Sequence, residues 1–450
     1  MKENALRHLS ILGGGPAGLA AGYFARKAGI PFTVYEASAE VGGNARTLSR
    51  GAFLFDTGAH RWHDKDPEIT EELFRLMRDD LHKVEAPSQT YHQKKFIDFP
   101  LSPLNLFLTL GPGGFFGAGF DFLKARLGPE PDEEHFEAFA VRTYGRAIAS
   151  RFLLNYSEKL WGAPCRSLSP KIAGKRLKGL DLKTFLTEAF IGKKAKTAHL
   201  DGTFYYPKKG IGVIPERLAE RCGRENIRTN APVTRIFHEE DRVTAIEING
   251  RERVAVDLVV STLPGPLFLK LMDPEPSPEI LAMANELRFR NLRLVVLCID
   301  KDTVSPNASV YFPDAEHPFT RIYEPKNRSR FMAPEGKTSL VAEVPCQPED
   351  ALWKMGEAEL ARLVAGKFTE MGWIRPEEVL DAAAYRIANV YPIIELGSEE
   401  KAAEILGYLA GFRNLSVSGR SGKFMYTHLH DMMRFGKDII SGIASGERPR

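Results

Sequence analysis

The sequence predicts an α/β fold: one nucleotide-binding domain that the chain leaves and re-enters, with an α+β unit inserted. Three observations predict it. The apolar run Leu9–Leu12 is followed at once by Gly13-Gly14-Gly15-Pro16-Ala17-Gly18. A second apolar run, Phe32–Tyr35, ends on the acidic residue Glu36. Near the C-terminus the same style returns, with Leu415-Ser-Val-Ser, a glycine loop at Gly419-Arg420-Ser421-Gly422, and a helical pattern from His430 to Ile443.

The first two runs, with Pro16 to Ala28 as a helix between them, make a strand–helix–strand unit of ordinary size. Gly13 permits the tight turn, Gly15 lets the backbone approach a pyrophosphate, and Gly18 lets the helix pack close to the strand. The pyrophosphate then meets the free N–H groups and the dipole of the helix N-terminus. A carboxylate at Glu36 accepts hydrogen bonds from ribose hydroxyls and repels a 2′-phosphate, which favours FAD or NAD over NADP.

The segment from Phe96 to Leu123 is apolar but interrupted by Pro103, Gly111, Pro112, Gly113 and Gly114. We expect its Leu101–Leu123 stretch to be a flap buried in the inserted unit, with peripheral membrane contact as the alternative. From Pro131 to about Leu186 the pattern is helical, with Phe136, Phe139, Ala140 and Tyr144 on one face. Strand-like alternation then takes over at Val233–Phe237, Arg242–Ile248 and Arg253–Val256, with Asn249-Gly250 as a hairpin turn. Leu258-Val-Val-Ser-Thr is a fully apolar strand suited to a parallel sheet. Residues 266 to 385 mix strands with helices. The expected division is therefore 1–95, 200–265 and 386–450 for the nucleotide-binding domain. Residues 96–199 are expected to form a helical part of the inserted unit and 266–385 a β-rich part.

Composition bounds the function. The chain has 450 residues, 43% hydrophobic and 26% charged, enough for two or three core-forming units and unlike a disordered chain. A net charge of +3 without a dense basic stripe argues against a nucleic-acid partner. The pairs Lys193-Lys194 and Lys208-Lys209 read as surface or anion contacts. Cys165, Cys222, Cys298 and Cys346 lack metal-ligand spacing, so no metal is expected and buried thiols in a reducing cytoplasm are. The N-terminus carries no visible signal peptide, and no long uninterrupted apolar run reads as a transmembrane helix.

Gly42-Gly43-Asn44-Ala45-Arg46 follows Glu36, and Phe55-Asp56-Thr57-Gly58-Ala59-His60 comes next. This layout resembles the FAD-dependent superfamily of amine oxidases, protoporphyrinogen oxidases, phytoene desaturases and UDP-galactopyranose mutases, and the resemblance runs the length of the chain. It implies an FAD-binding Rossmann-like domain and a small-molecule substrate over the flavin. Tyr156-Ser157-Glu158-Lys159-Leu160-Trp161-Gly162, Lys175-Arg176-Leu177, and Gly419-Arg420 with Tyr426 and His430 are similar to segments of the mutases. Cofactor contacts are expected at Gly13, Gly15, Pro16, Ala17, Gly18, Glu36, Gly42, Gly43, Arg46, Gly58, Ala59, His60, Val233, Gly419, Arg420 and Met432. Catalytic roles are expected for His60, His63, Arg176, Arg321 and Tyr426, and substrate contacts for Tyr156, Trp161, Tyr206 and Tyr323. Arg321 suits a phosphate-bearing or acidic substrate, or pairs with Glu324. The expected reaction is hydride transfer from an organic substrate to the flavin. The alternative is a mutase reaction in which reduced flavin attacks a sugar nucleotide, and a non-catalytic FAD-binding protein stands third.

Overall fold

The computed structural model describes residues 8–98, 103–128, 134–173 and 203–446. Its centre is a five-stranded parallel sheet in the order Leu415–Val417, Leu258–Ser261, Leu9–Leu12, Phe32–Tyr35, Ile227–Arg228. All four residues of Leu9–Leu12 and of Leu258–Ser261 are buried, as expected of strands covered on both faces. Helices Pro16–Lys27, Val213–Cys222 and Leu429–Ala444 contribute to one apolar core together with Leu9, Ile11 and Val260. A second core, around Ile236, Ile246, Phe268 and Ile405, joins the sheet to a β-unit. That unit pairs Val233–Glu239, Arg242–Ile248 and Glu252–Ala255 as an antiparallel meander. Its turn has positive φ at Asn249 (57°) and Gly250 (66°), as a two-residue hairpin requires.

The other large sheet has seven strands, in the order Val379–Pro392, Phe289–Ile299, Thr338–Cys346, Arg321–Tyr323, Ser309–Tyr311, Ser88–His92, Lys95–Asp98. Its pairings are antiparallel except that of Ser309–Tyr311 with Ser88–His92. Strands from residues 88–98 thus leave the N-terminal part of the chain to pair with the later β-rich part. The four cysteines are free and buried.

The glycine-rich stretch departs from expectation. Pro103–Leu127 is helical with a kink at Gly111, whose φ of 69° and ψ of 173° break it into two pieces. Pro112 starts the second piece, where its missing N–H costs nothing. The expected burial of this flap is corrected. Leu108, Phe116 and Phe120 are 65%, 71% and 72% exposed, because the helix packs on its neighbours mainly through Leu106, Leu110 and Phe115.

Candidate active site

A cavity opens where the central sheet meets the seven-stranded one, with about 1510 Å³ of empty space when the open solvent at its mouth is included. Its floor is the turn after the first strand: Gly13, Gly15, Pro16 and Ala17 line it. Gly13 has φ of +103°, a conformation that L side chains rarely adopt. Gly18 lies behind the floor, and a Cβ there would sit 1.9 Å from the Gly13 carbonyl oxygen, so only glycine permits this strand–helix approach. The helix starts at Pro16 with no side-chain cap and no acidic residue in its first turn, so its N–H groups are available to an anion. Glu36 closes this end. Its Oε2 accepts the Gly14 N–H at 2.7 Å and its Oε1 the Ser38 N–H at 2.8 Å. Two N–H groups thus fix the carboxylate and leave each oxygen a further lone pair.

Gly43, Gly58, Ala59 and His60 continue the wall. The Ala59 N–H donates to Glu343 Oε1 at 2.7 Å, and His60 Nε2 lies 2.8 Å from the Asn44 carbonyl oxygen. A carbonyl can only accept, so Nε2 carries the proton. Burial, reinforced by the Arg420 charge, pushes His60 down to about 3. The ring is therefore neutral, with Nδ1 as its acceptor atom. His63 also lines the cavity, its ring edge-on to Phe204 and His428.

The opposite wall is aromatic. Tyr311, Tyr391 and Tyr426 line it. Behind them Tyr156 stands edge-on to Tyr311 at 6.0 Å, and Trp161 meets Tyr391 at 6.0 Å and Tyr426 at 6.4 Å. Tyr156 and Trp161 are thus a second row that backs the wall rather than lining it. Arg321 lines the cavity, but its partner is Glu343, not Glu324. Its Nε and Nη2 each lie 2.8 Å from a Glu343 oxygen. Burial works against its charge, and the Glu343 carboxylate holds the guanidinium protonated nonetheless. Glu324 instead accepts the N–H groups of Val304 and Ser305 and the Thr338 hydroxyl. Arg420 donates to the carbonyl oxygens of Thr427 and Val390 and lies over the rings of Tyr391 and Tyr426. It ties the last loop to the strand Val379–Pro392. Gly419 and Met432 line the cavity beside it.

Several expected contacts lie elsewhere. Tyr206 and Tyr323 are buried in the protein core, where Tyr206 donates to the Asp56 carboxylate and Tyr323 to the Asp56 carbonyl. Both hydroxyls are consumed by Asp56, so neither faces a substrate. Arg46 reaches out to Glu40 at 3.7 Å instead of turning into the cavity. Gly42, at φ +108°, shapes the loop rather than the wall. Val233 packs against the apolar core of the β-meander. Arg176 lies outside the described residues. Sequence reasoning missed Glu343, Tyr311, Tyr391 and Asn389. For Glu343 a signal existed: an acidic residue in the apolar run Leu340-Val-Ala-Glu-Val requires a buried partner. Asn389 lines the cavity at φ 52°, on a strand whose pairing register is interrupted nearby, and nothing local in the sequence marks that.

The described residues fit FAD. The open helix N-terminus suits its pyrophosphate, the fixed Glu36 carboxylate suits ribose hydroxyls, and the long cavity continues to an aromatic compartment. Comparison with known proteins agrees. The model of the flavin containing amine oxidoreductases matches residues 16–387. A phytoene desaturase of Myxococcus xanthus, zeta-carotene-forming, is 23% identical over 82% of this chain and 78% of its own. Protoporphyrinogen oxidase 1 of Arabidopsis thaliana is 28% identical over 47% of this chain. The matched region spans 44% of that plant enzyme. Among solved structures, reduced UDP-galactopyranose mutase superposes with a TM-score of 0.85 at 20% identity, covering 98% of this chain and 96% of that one. Putrescine oxidase with bound putrescine gives 0.66 at 18% identity, covering 98% and 99%. These structural likenesses speak to the fold. The family match spans most of the chain and converges with the cavity's geometry: the chain belongs to the flavin containing amine oxidoreductase family, with FAD as its cofactor.

Proposed function

We propose that the protein is an FAD-dependent oxidoreductase acting on a small organic substrate held against Tyr311, Tyr391 and Tyr426. The observation that carries this reading is the pairing of Arg321 with Glu343 beneath that aromatic wall. A nucleotide diphosphate calls for cations with charge to spare; of the guanidiniums lining the cavity, Arg321 has its carboxylate, Arg420 is engaged by the Thr427 and Val390 carbonyls, and Arg61 by the hydroxyls of Ser88 and Ser309. An aromatic compartment whose guanidiniums are already engaged suits a substrate oxidised at carbon.

When bound, FAD supplies the hydride acceptor. The chain's residues do the rest. The helix N-terminus at Pro16 and the Glu36 carboxylate hold the dinucleotide. The tyrosine wall excludes water and orients the substrate, and Arg420 braces Tyr391 and Tyr426. Neutral His60 keeps Nδ1 as an acceptor at the cavity wall. In this reading residues 8–87, 203–265 and 393–446 carry the cofactor, and the seven-stranded sheet, with strands 88–98 and 379–392, carries the substrate.

The test is anaerobic. Oxidised holoprotein is mixed with amines, polyenes, porphyrinogens and UDP-galactopyranose, and the flavin band is followed. Bleaching by one of the first three classes is the expected outcome. Turnover of the sugar nucleotide only after chemical reduction, with no net redox change, would reject the reading in favour of mutase chemistry.

A further inference from the structure

The helix Pro103–Leu127 leaves large apolar side chains uncovered among the described residues. After the kink, Phe116, Phe120, Leu123 and Leu127 recur at four- and three-residue spacing and form one stripe, exposed at 71%, 72%, 53% and 84%. Only Leu106 and Ala118 are buried between residues 106 and 127. A helix apolar on all sides is stable where its surroundings are apolar too.

By length and composition this helix could cross a membrane. Its attachments exclude a span. Near one end Leu106 packs with Ile97 and Phe152. Near the other, Asp121 accepts the Ala147 N–H at 2.7 Å, and a Cβ on Gly145 would lie 2.8 Å from the Phe122 nitrogen. Both ends are held by one body. The straight piece Pro112–Leu127 is about 24 Å long at about 1.5 Å per residue, short of a hydrocarbon core of about 30 Å.

We propose that the helix lies in the surface of an anionic lipid bilayer, with Phe116, Phe120, Leu123 and Leu127 among the acyl chains. Charge selects this occupant. Asp121 spends its carboxylate on Ala147, and the exposed charges left on the helix are Lys124 and Arg126, both cationic. Anionic headgroups complement them at the rim of the apolar stripe, while a second copy would bring an equally basic helix. The docking face and the cavity also share an element. Along Ala149–Trp161, Phe152 packs on Leu106, Tyr156 on Tyr311, and Trp161 on Tyr391 and Tyr426.

The experiment floats flavin-loaded protein through a density gradient with phosphatidylcholine vesicles, with and without phosphatidylglycerol. The wild type should rise with the vesicles, more so with phosphatidylglycerol. Phe120→Glu and Leu123→Glu should each partition at least about tenfold less while keeping the wild-type flavin absorbance. Phe120→Cys carrying an environment-sensitive fluorophore identifies what covers the stripe, since the native cysteines are all buried. A blue shift that needs vesicles supports the bilayer. A blue shift without vesicles at every protein concentration means that a segment of this chain covers the helix. One that grows with protein concentration means a second copy. Either result, or a wild type that stays at the bottom with both vesicles, overturns the proposal. Flotation needs no turnover, so its failure leaves the assignment of the cavity standing.

Discussion

At the scale of single residues, Glu36 and His60 show how backbone groups set side-chain chemistry. Glu36 was legible in the sequence because its task fixes both its type and its distance from the glycine turn. Replacing it by arginine removes the acceptor for the Gly14 and Ser38 N–H groups and for the ribose hydroxyls. Each charge-assisted bond contributes about 1.5–3 kcal/mol, so Glu36→Arg should retain FAD at least about tenfold more weakly, as measured by flavin lost on dialysis. His60 was legible as a wall residue but not as a neutral one, since its burial comes from elements far away in sequence. Its folded value of about 3 lies below the ordinary 6.5. The unfolded chain therefore takes up the proton first. The favourable contribution is complete above pH 6.5 and is lost as pH falls towards 3, by up to about 1.4 kcal/mol per pH unit. Urea midpoints of the holoprotein and of His60→Asn, compared across that window, should show a shallower acid loss in the variant.

At the scale of elements, the decisive pairing lies between two strands of the seven-stranded sheet. Arg321 stands directly across from Glu343 in their antiparallel register. The sequence displays both charges, yet nothing local says which acid faces which base, because register depends on how the whole sheet assembles. Glu324 is nearer in the chain and points elsewhere. Glu343→Gln would leave a buried guanidinium without its anion and loosen the Ala59 N–H. We expect a loss of about 3–5 kcal/mol in chemical denaturation, partly recovered by the paired variant Arg321→Met/Glu343→Gln. Local patterns fared better. The Asn249-Gly250 hairpin and the paired apolar runs follow from period and turn chemistry alone. The helix at Pro103–Leu127 was harder, because its glycines and prolines mimic a loop and its packing, not its propensity, decides its form.

At the scale of the molecule, the cofactor is part of the architecture. The cavity takes walls from the central sheet, the seven-stranded sheet and the last helix, so a ligand there holds three units together. FAD that binds only the folded chain should stabilise it by about 2.7 kcal/mol when free cofactor is a hundredfold above Kd. Thermal unfolding of the stripped protein should therefore shift upward with the logarithm of added FAD and be unmoved by NADP. The return of the chain to its first sheet was legible because the apolar strand Leu415–Val417 and the glycine after it repeat the style of the beginning. The recruitment of residues 88–98 into the other sheet was not, since only the partner strand at Ser309–Tyr311 makes their edge useful.

The central sheet also has a consequence in time. A ribosome releases Leu9–Leu12 some 250 residues ahead of its neighbour Leu258–Ser261, and the strand beyond that, Leu415–Val417, emerges later still. Throughout that interval the nascent strand keeps an unpaired edge, with only Phe32–Tyr35 at hand to cover the other. The dinucleotide turn is thus made about 400 residues before it becomes usable, because Gly419, Arg420 and Met432 complete its cavity. Flavin capture therefore waits for residues 419–432, by which point the strands of the other sheets have all been synthesised.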